Sequence, residues 1–383
     1  MPYEYINFDL TIAADRWTRQ SFFRGWRTIM ADDPRWAPPP LPWLRRTLTG
    51  NGHAHMRRLA PTFLHVQAVR RRVASRSDGD FGVGYGLSTS VFEETVAAAV
   101  LLTDPRVEDR TAYLAFPHIV NDEACLDRLL EGVMEQLWER GYRRLVGPIG
   151  VSPALGVGAL LNYFNLTPPL HTPYNAPYVP ELLAQSLEPI HEQQLFVAVP
   201  TPHADAAHAN AGGGPAILAP AAISALTGPL LPLLQSACAS DLFPAPDAEE
   251  ARFLADVIGQ WPSTLWVAEM EGTPVGFVWL QGDYAPVLRR SHGGRNPLWR
   301  PWIAYQRARP MRAGRLLLGG VLPAWRGQGI GRQLWRHALA TSHAAGWETL
   351  TVGPVDVGSP GAAFLTAQGA TPQQRYMLFA GEF

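Results

Sequence analysis

Hydrophobic positions along this 383-residue chain recur with two different periods. Apolar residues spaced three and four apart mark helices, whereas alternating or continuous apolar runs of about four to eight residues between turn formers mark strands. Residues 14–48 carry Trp17, Phe22, Phe23, Trp26, Ile29 and Met30 at near-helical spacing, then the proline-rich stretch Ala37–Leu44, which reads as an extended connection. Phe63–Val69, Thr95–Thr103 and Thr111–Phe116 read as strands, and the glycine- and serine-rich Ser75–Ser90 reads as a loop or short hairpin. Leu126, Leu129, Leu130, Val133, Leu137 and Trp138 line one side of a helix that stops at Gly141. Residues 190–199 form a further strand.

Pro200–Pro215, rich in Ala, Gly, Pro and His, is a natural linker. Beyond it Ala216–Ala219 opens as a strand, Ala222–Ala239 is an apolar helical stretch, and Glu249–Gln260 is another helix. Thr264–Met270 and Pro274–Gln281 are strands around the turn Glu271-Gly272-Thr273. An insertion, Ala285–Arg312, leads into an apolar strand from Arg315 to Leu322, closed by Pro323. Ile330, Leu334, Ala338, Thr341 and Ala345 then recur on one helix face as far as Gly346, and Leu350–Val355 and Arg375–Ala380 are the last strands.

The halves share a signature. Gly141-Tyr142-Arg143-Arg144-Leu145-Val146-Gly147-Pro148 and Gly346-Trp347-Glu348-Thr349-Leu350-Thr351-Val352-Gly353-Pro354 both run helix stop, aromatic, strand, Gly-Pro, 205 residues apart. So long a period implies duplicated domains rather than a solenoid. The expected division is 1–200, a linker at 201–215, and 216–383.

Chemistry concentrates in Arg326-Gly327-Gln328-Gly329-Ile330-Gly331, between the strand and its helix. The first amides of a helix lack internal partners and lie at the positive end of its dipole, so they hold phosphate well. Gly327, Gly329 and Gly331 let an anion approach the backbone, and Arg326 and Arg332 add charge. The nucleotide-hydrolase loop needs a lysine, and the chain contains none. The dinucleotide fingerprint has a different glycine order.

The order Arg-x-x-Gly-x-Gly after Val321-Leu322-Pro323 resembles the acyl-CoA pyrophosphate loop of the GNAT acetyltransferase superfamily. The succession of elements in 216–383 matches the order of a GNAT module well, and 1–200 matches it weakly. The resemblance implies an α/β (α+β mixed) fold of two fused GNAT-like modules, each a mostly antiparallel mixed sheet flanked by helices, as in bacterial tandem proteins of the mycothiol synthase type. It implies acetyl-CoA as co-substrate, with Val321 and Leu322 offering backbone groups to the pantetheine arm and Arg326, Gly327, Gln328, Gly329, Ile330, Gly331 and Arg332 holding the pyrophosphate. In the first module the corresponding segment, Pro117–Ala124, has no glycine and carries Asp122 and Glu123, which repel a pyrophosphate. The family's asparagine and tyrosine positions hold Gly358 and Leu365, leaving the acid that protonates departing thiolate unassigned; Tyr376 is a substitute, or a core tyrosine.

Acyl transfer to an amine needs a neutral nitrogen and a group to take its proton. Asp283, beyond the third strand of the second module, and Asp356, after the fifth, are the candidate bases, each with a solvated strand-end carboxylate as the plainer alternative. The resulting function is an acyl-CoA-dependent N-acyltransferase acting on a small-molecule or peptide amine. The alternative is a CoA-binding sensor or scaffold without turnover.

Composition narrows the partners. A net charge of −1 and a pI near 6.8 give no overall basic field for nucleic acid. Cys125 and Cys238 are isolated and read as buried residues of a reducing compartment, so the chain is expected to be cytoplasmic. Prolines 220, 229 and 232 interrupt the uncharged stretch Pro215–Ser240, which argues against a membrane segment. No histidine cluster has metal-ligand spacing, and neither a metal nor a membrane partner is expected. A monomer or homodimer is expected. The arginine-, tryptophan- and proline-rich insertion reads two ways: a clamp for an anionic acceptor or the CoA 3′-phosphate, or a bridge packed on the first module.

Overall fold

The computed structural model describes residues 3–72, 92–202 and 216–383. The Ser75–Ser90 segment and nearly all of the 201–215 linker lie outside these residues. The first half runs β1 (Tyr3–Ile12), α1 (Arg16–Ile29), α2 (Leu41–Leu48), α3 (Ala54–Arg58), β2 (Thr62–Arg72), β3 (Phe92–Thr103), β4 (Thr111–Ile119), α4 (Glu123–Glu139), β5 (Arg144–Ile149), β6 (Ala159–Leu160), α5 (Val179–Ser186) and β7 (Glu188–Ala198). The second runs β8 (Ile217–Ala221), α6 (Leu231–Ala237), α7 (Ala248–Ile258), β9 (Ser263–Met270), β10 (Thr273–Gly282), α8 (Ala285–Arg290), α9 (Trp299–Arg307), β11 (Ala313–Val321), α10 (Ile330–Ala344), β12 (Thr349–Asp356), α11 (Pro360–Ala367) and β13 (Thr371–Glu382).

The strands join into one sheet in the order β1-β2-β3-β4-β5-β13-β7-β12-β11-β10-β9-β8, with β6 beside β13. Every pairing is antiparallel except β4 with β5 and β11 with β12, the parallel pair of each half. The last strand of each half crosses over. β13 pairs with β5 of the first half, β7 pairs with β12 of the second, and β7 and β13 pair with each other at the centre. Both Gly-Pro signatures carry a cis peptide bond, at Gly147-Pro148 and Gly353-Pro354.

Asp15 caps α1 through a capping box with Thr18, and Phe22, Phe23 and Trp26 turn inward. Gly25 lets the helix lie on β3, since a Cβ there would fall 2.1 Å from Thr95 Oγ1. On this face of the sheet one apolar core is continuous across both halves, from Phe22 and Trp26 to Phe253, Phe277 and Leu317. The other face carries two separate cores, under α4 and α5 in the first half and under α10 and α11 in the second.

Three local expectations are corrected. The proline-rich stretch is extended only to Pro40; Leu41 begins a helix because Pro42 falls in its first turn, where no amide is needed. The stretch Ala222–Ala239 divides at Gly228-Pro229 into a 3-10 turn, Ile223–Thr227, and α6. Tyr3–Ile12, not foreseen as a strand, forms the edge beside β2. Among the described residues no helix is long and apolar enough to cross a membrane.

Candidate active site

The site begins where two parallel strands part. β11 pairs with β12 only from Ala313–Thr349 to Leu316–Val352, yet continues beside β10 to Val321. β12 is paired on its other side with β7, and it bulges at Gly353-Pro354 before that pairing resumes at Val355. β11 also bulges at Leu317, since Leu316 and Leu318 face the consecutive residues Leu280 and Trp279. The stretch Leu317–Val321 therefore has no β12 partner. A cavity of about 830 Å³ fills the gap, lined by Leu317–Val321 on one side and Val352–Asp356 on the other.

The glycine loop sits at the mouth of this cleft. Pro323–Trp325 makes a 3-10 turn, and Gly327 and Gly329 follow at φ of 79° and 84°, backbone that favours glycine. Gly329 caps α10 and supplies no side-chain acceptor to its first amides. A Cβ on Gly327 or Gly329 would meet nothing within 4 Å, so the space before the helix is open. α4, the equivalent helix of the first half, differs: Asp122 caps it, accepting from the amide of Cys125. A carboxylate occupies there the place that a phosphate would take.

Arg326, Gly327, Gly329, Gly331 and Arg332 line the cavity. Arg326 donates from Nε to the carbonyl of Val321, 3.0 Å away, which spreads the guanidinium along the loop. Gln328 folds back on the carbonyl of Ala324, and Ile330 is buried in the core beneath α10. Val321 lines the cavity, whereas the amide of Leu322 is bonded to the carbonyl of Val275. The residues thus fit a diphosphate: bare amides, room for close approach, and two cations.

On the β12 side of the cavity Asp356 meets two side chains of β7. His191 Nε2 lies 2.7 Å from its Oδ1, and Gln193 Nε2 donates to the same oxygen at 2.8 Å. A carboxylate only accepts, so the imidazole donates from Nε2, and in its neutral form Nδ1 has the lone pair. All three residues line the cavity. The cavity lining also holds a largely buried ionic cluster. Glu250, on α7, accepts from Ser152 Oγ at 3.1 Å and from Arg106 Nη2 at 2.9 Å, and Arg106 also grips Asp104 with Nε and Nη2. Burial holds the Glu250 carboxyl above the usual carboxylate range.

Neither His191 nor Glu250 stands out in the sequence. His191 lies in the unbroken polar run His191-Glu192-Gln193-Gln194 that precedes the apolar Leu195–Ala198, so no alternation sets it apart from a solvated strand end. Glu250 shares the first turn of α7 with Asp247 and Glu249 and looks like helix-end charge.

Two further candidates lie elsewhere. Asp283 accepts from the amides of Leu170, 2.9 Å, and Ala285, 3.0 Å, and so fixes the start of α8 against the first half. Tyr376 is fully buried beside Leu160 and Leu195, and burial raises its hydroxyl pKa. Neither lines the cavity. The insertion packs on the first half: Leu170 and Ala37 join the core beneath α8, and Arg289 donates to Thr167 Oγ1 at 2.8 Å. Among the described residues no group of His, Cys, Asp and Glu could hold a metal ion.

Residues 231–364 match the model of the acetyltransferase (GNAT) family. No curated protein matches the chain. Among solved structures, a tandem GNAT protein from the clavulanic acid biosynthesis pathway is similar at a TM-score of 0.57 and 14% identity, over 98% of either chain. A GCN5-related N-acetyltransferase from Sphaerobacter thermophilus follows at 0.50 and 13%, over 98% of this chain and 95% of that one. Another, from Anabaena variabilis, aligns at 0.53 and 11%, over 98% of this chain and 72% of that one. The structural likeness establishes a shared fold, and the family match covers the open strand edge and the glycine loop: the chain carries an acetyltransferase domain of the GNAT family within a tandem GNAT fold.

Proposed function

We propose that the chain transfers an acyl group, acetyl by default, from coenzyme A to the amine of a small molecule or peptide. The observation that carries this reading is the unpaired edge Leu317–Val321 leading to a helix start without a cap. A chain of amide-bearing atoms such as pantetheine can continue the sheet along that edge, with its diphosphate at Gly327–Arg332. Bound there, acetyl-CoA supplies the thioester.

The protein's part is to hold, orient and take a proton. In this reading a backbone amide of the open β11 edge polarises the thioester carbonyl. His191 Nδ1 accepts the proton of the attacking amine, and Asp356 steadies the imidazolium that forms. The carbon–nitrogen bond forms, the carbon–sulfur bond breaks, and the amine's proton leaves finally with the thiol. His191 comes from the first half, so that half supports the chemistry although its own helix start repels phosphate.

The test is thiol release on mixing the chain with acetyl-CoA and a panel of amines, beside calorimetric titration with CoA. Turnover with at least one amine is expected. Heat of binding with no release from any amine would leave a CoA-binding protein, and no heat at all would overturn the reading.

A further inference from the structure

Between Tyr284 and Ala313 the chain has seven arginines and no aspartate or glutamate. The near-zero net charge of the whole molecule hides this local field. α9 lies in the middle of it, and none of its residues is buried. At about 100° per residue, Trp299, Trp302, Ile303 and Gln306 fall on the inner face, and they are the half-buried ones. The outward face presents Pro301, Ala304, Tyr305 and Ala308, continued by Leu298 just before the helix; Leu298 is 81% exposed and Tyr305 58%.

Arginines flank this apolar stripe. Arg300 and Arg307 lie along one side and Arg309 along the other, with Arg290 over the ring of Trp302 and Arg309 over that of Tyr305. Among the described residues none of these has a carboxylate within ion-pair distance; in the insertion only Arg312 does, with Glu348 at 3.5 Å. Nearby, burial and then the charge of Arg295 hold the Arg27 guanidinium below its ordinary pKa. A fold pays for such uncompensated charge only weakly at the surface, but a row of unpaired guanidiniums beside exposed leucine and tyrosine has a physical complement.

We propose that α9 and the segment before it form a docking surface for an anionic lipid bilayer, lying in the headgroup layer with Leu298 and Tyr305 inserted and the arginines on lipid phosphates. A nucleic acid or an acidic polypeptide answers the charge but leaves the outward apolar stripe without a use. The contact is peripheral. It leaves the cofactor cleft, which opens at the opposite end of β11, free.

Full-length chain is sedimented with vesicles of phosphatidylcholine alone and of phosphatidylcholine mixed with phosphatidylglycerol. Binding to the anionic vesicles only is expected, weakened at least tenfold by high salt, by R300E/R307E, and by L298D/Y305D. These positions are exposed, so an unchanged melting temperature and unchanged heat of CoA binding confirm that each variant is folded. No binding to anionic vesicles, equal binding to neutral ones, or full binding by R300E/R307E overturns the proposal. Binding to polyglutamate or DNA without binding to vesicles overturns it in favour of an acidic macromolecule, and competition by inorganic phosphate at millimolar level, in favour of a free anion.

Discussion

His191 Nε2 stands 2.7 Å from Oδ1 of Asp356, and the pair joins a strand of the first half to the strand that opens the cofactor cleft in the second. Because β7 crosses over to lie beside β12, the histidine reaches the cavity that the second half's glycine loop also lines. Changing His191→Gln removes the proton acceptor and keeps the side chain's length and polarity. Turnover should fall about a hundredfold, with the affinity for CoA unchanged. Asp356→Asn should lower turnover too and alter the shape of the pH profile, because the amide no longer fixes the imidazole tautomer. Wild-type turnover by the glutamine variant would remove His191 from the mechanism.

Gly329 is a second point of test. At φ 84° an alanine there costs about 1–2 kcal/mol of backbone strain, and its methyl group projects into the open space before α10. Gly346, at φ 75° with equally open surroundings, ends the same helix far from the loop. Both alanine variants should lose similar stability in urea titrations. Only Gly329→Ala should weaken CoA binding, by tenfold or more. Equal affinity in the two variants would mean that the loop does not hold the diphosphate.

The loop and its helix were legible because their chemistry is local: glycines, arginines and an apolar strand follow one another within a few turns of chain. The repeat was legible for the same reason, each Gly-Pro signature lying at the end of the parallel strand it was read on. The exchange of β7 and β13 was not, since an alternating strand carries no mark of which neighbour it will choose. Asp283 looked like a free strand-end carboxylate; only the fold brings the amide of Leu170 to it, from 113 positions away in the chain. His191 was invisible as a partner of Asp356 because 165 positions separate them.

Arg315 shows how far a charged residue can depart from its appearance in sequence. It heads an apolar strand in the sequence, and it is 1% exposed. Its guanidinium donates to three carbonyls, those of Gly353, Leu155 and Leu170, and thereby ties β11 and β12 to the 150–175 segment of the first half. Burial presses its pKa down to about 10. Arg315→Met leaves those carbonyls buried without donors, and each orphan costs about 1–3 kcal/mol. A loss of several kcal/mol is expected in urea unfolding. A loss below about 1 kcal/mol would show that water replaces the guanidinium.

Acid should weaken the fold before the carboxylates titrate, because burial holds several histidines neutral, His55, His65, His118 and His171 among them. His55 is 2% exposed, and burial lowers its pKa to about 4. His118 stacks on Trp26 with ring centroids 4.3 Å apart, its Nδ1 2.8 Å from the Trp26 carbonyl, and burial lowers it to about 4 as well. In the unfolded chain both titrate near the ordinary value of 6.5. Below that pH the unfolded state binds protons that the native state refuses, so stability present above 6.5 is lost progressively down to about 4. Each such site adds up to about 1.36 kcal/mol per pH unit to the slope, so His55 and His118 together contribute up to roughly 2.7. His118→Gln keeps a donor for the Trp26 carbonyl and cannot take up the proton. Its stability, followed by urea midpoints across this range, should fall with a slope shallower by about one proton. Parallel slopes for the variant and the wild type would show that His118 charges inside the native fold.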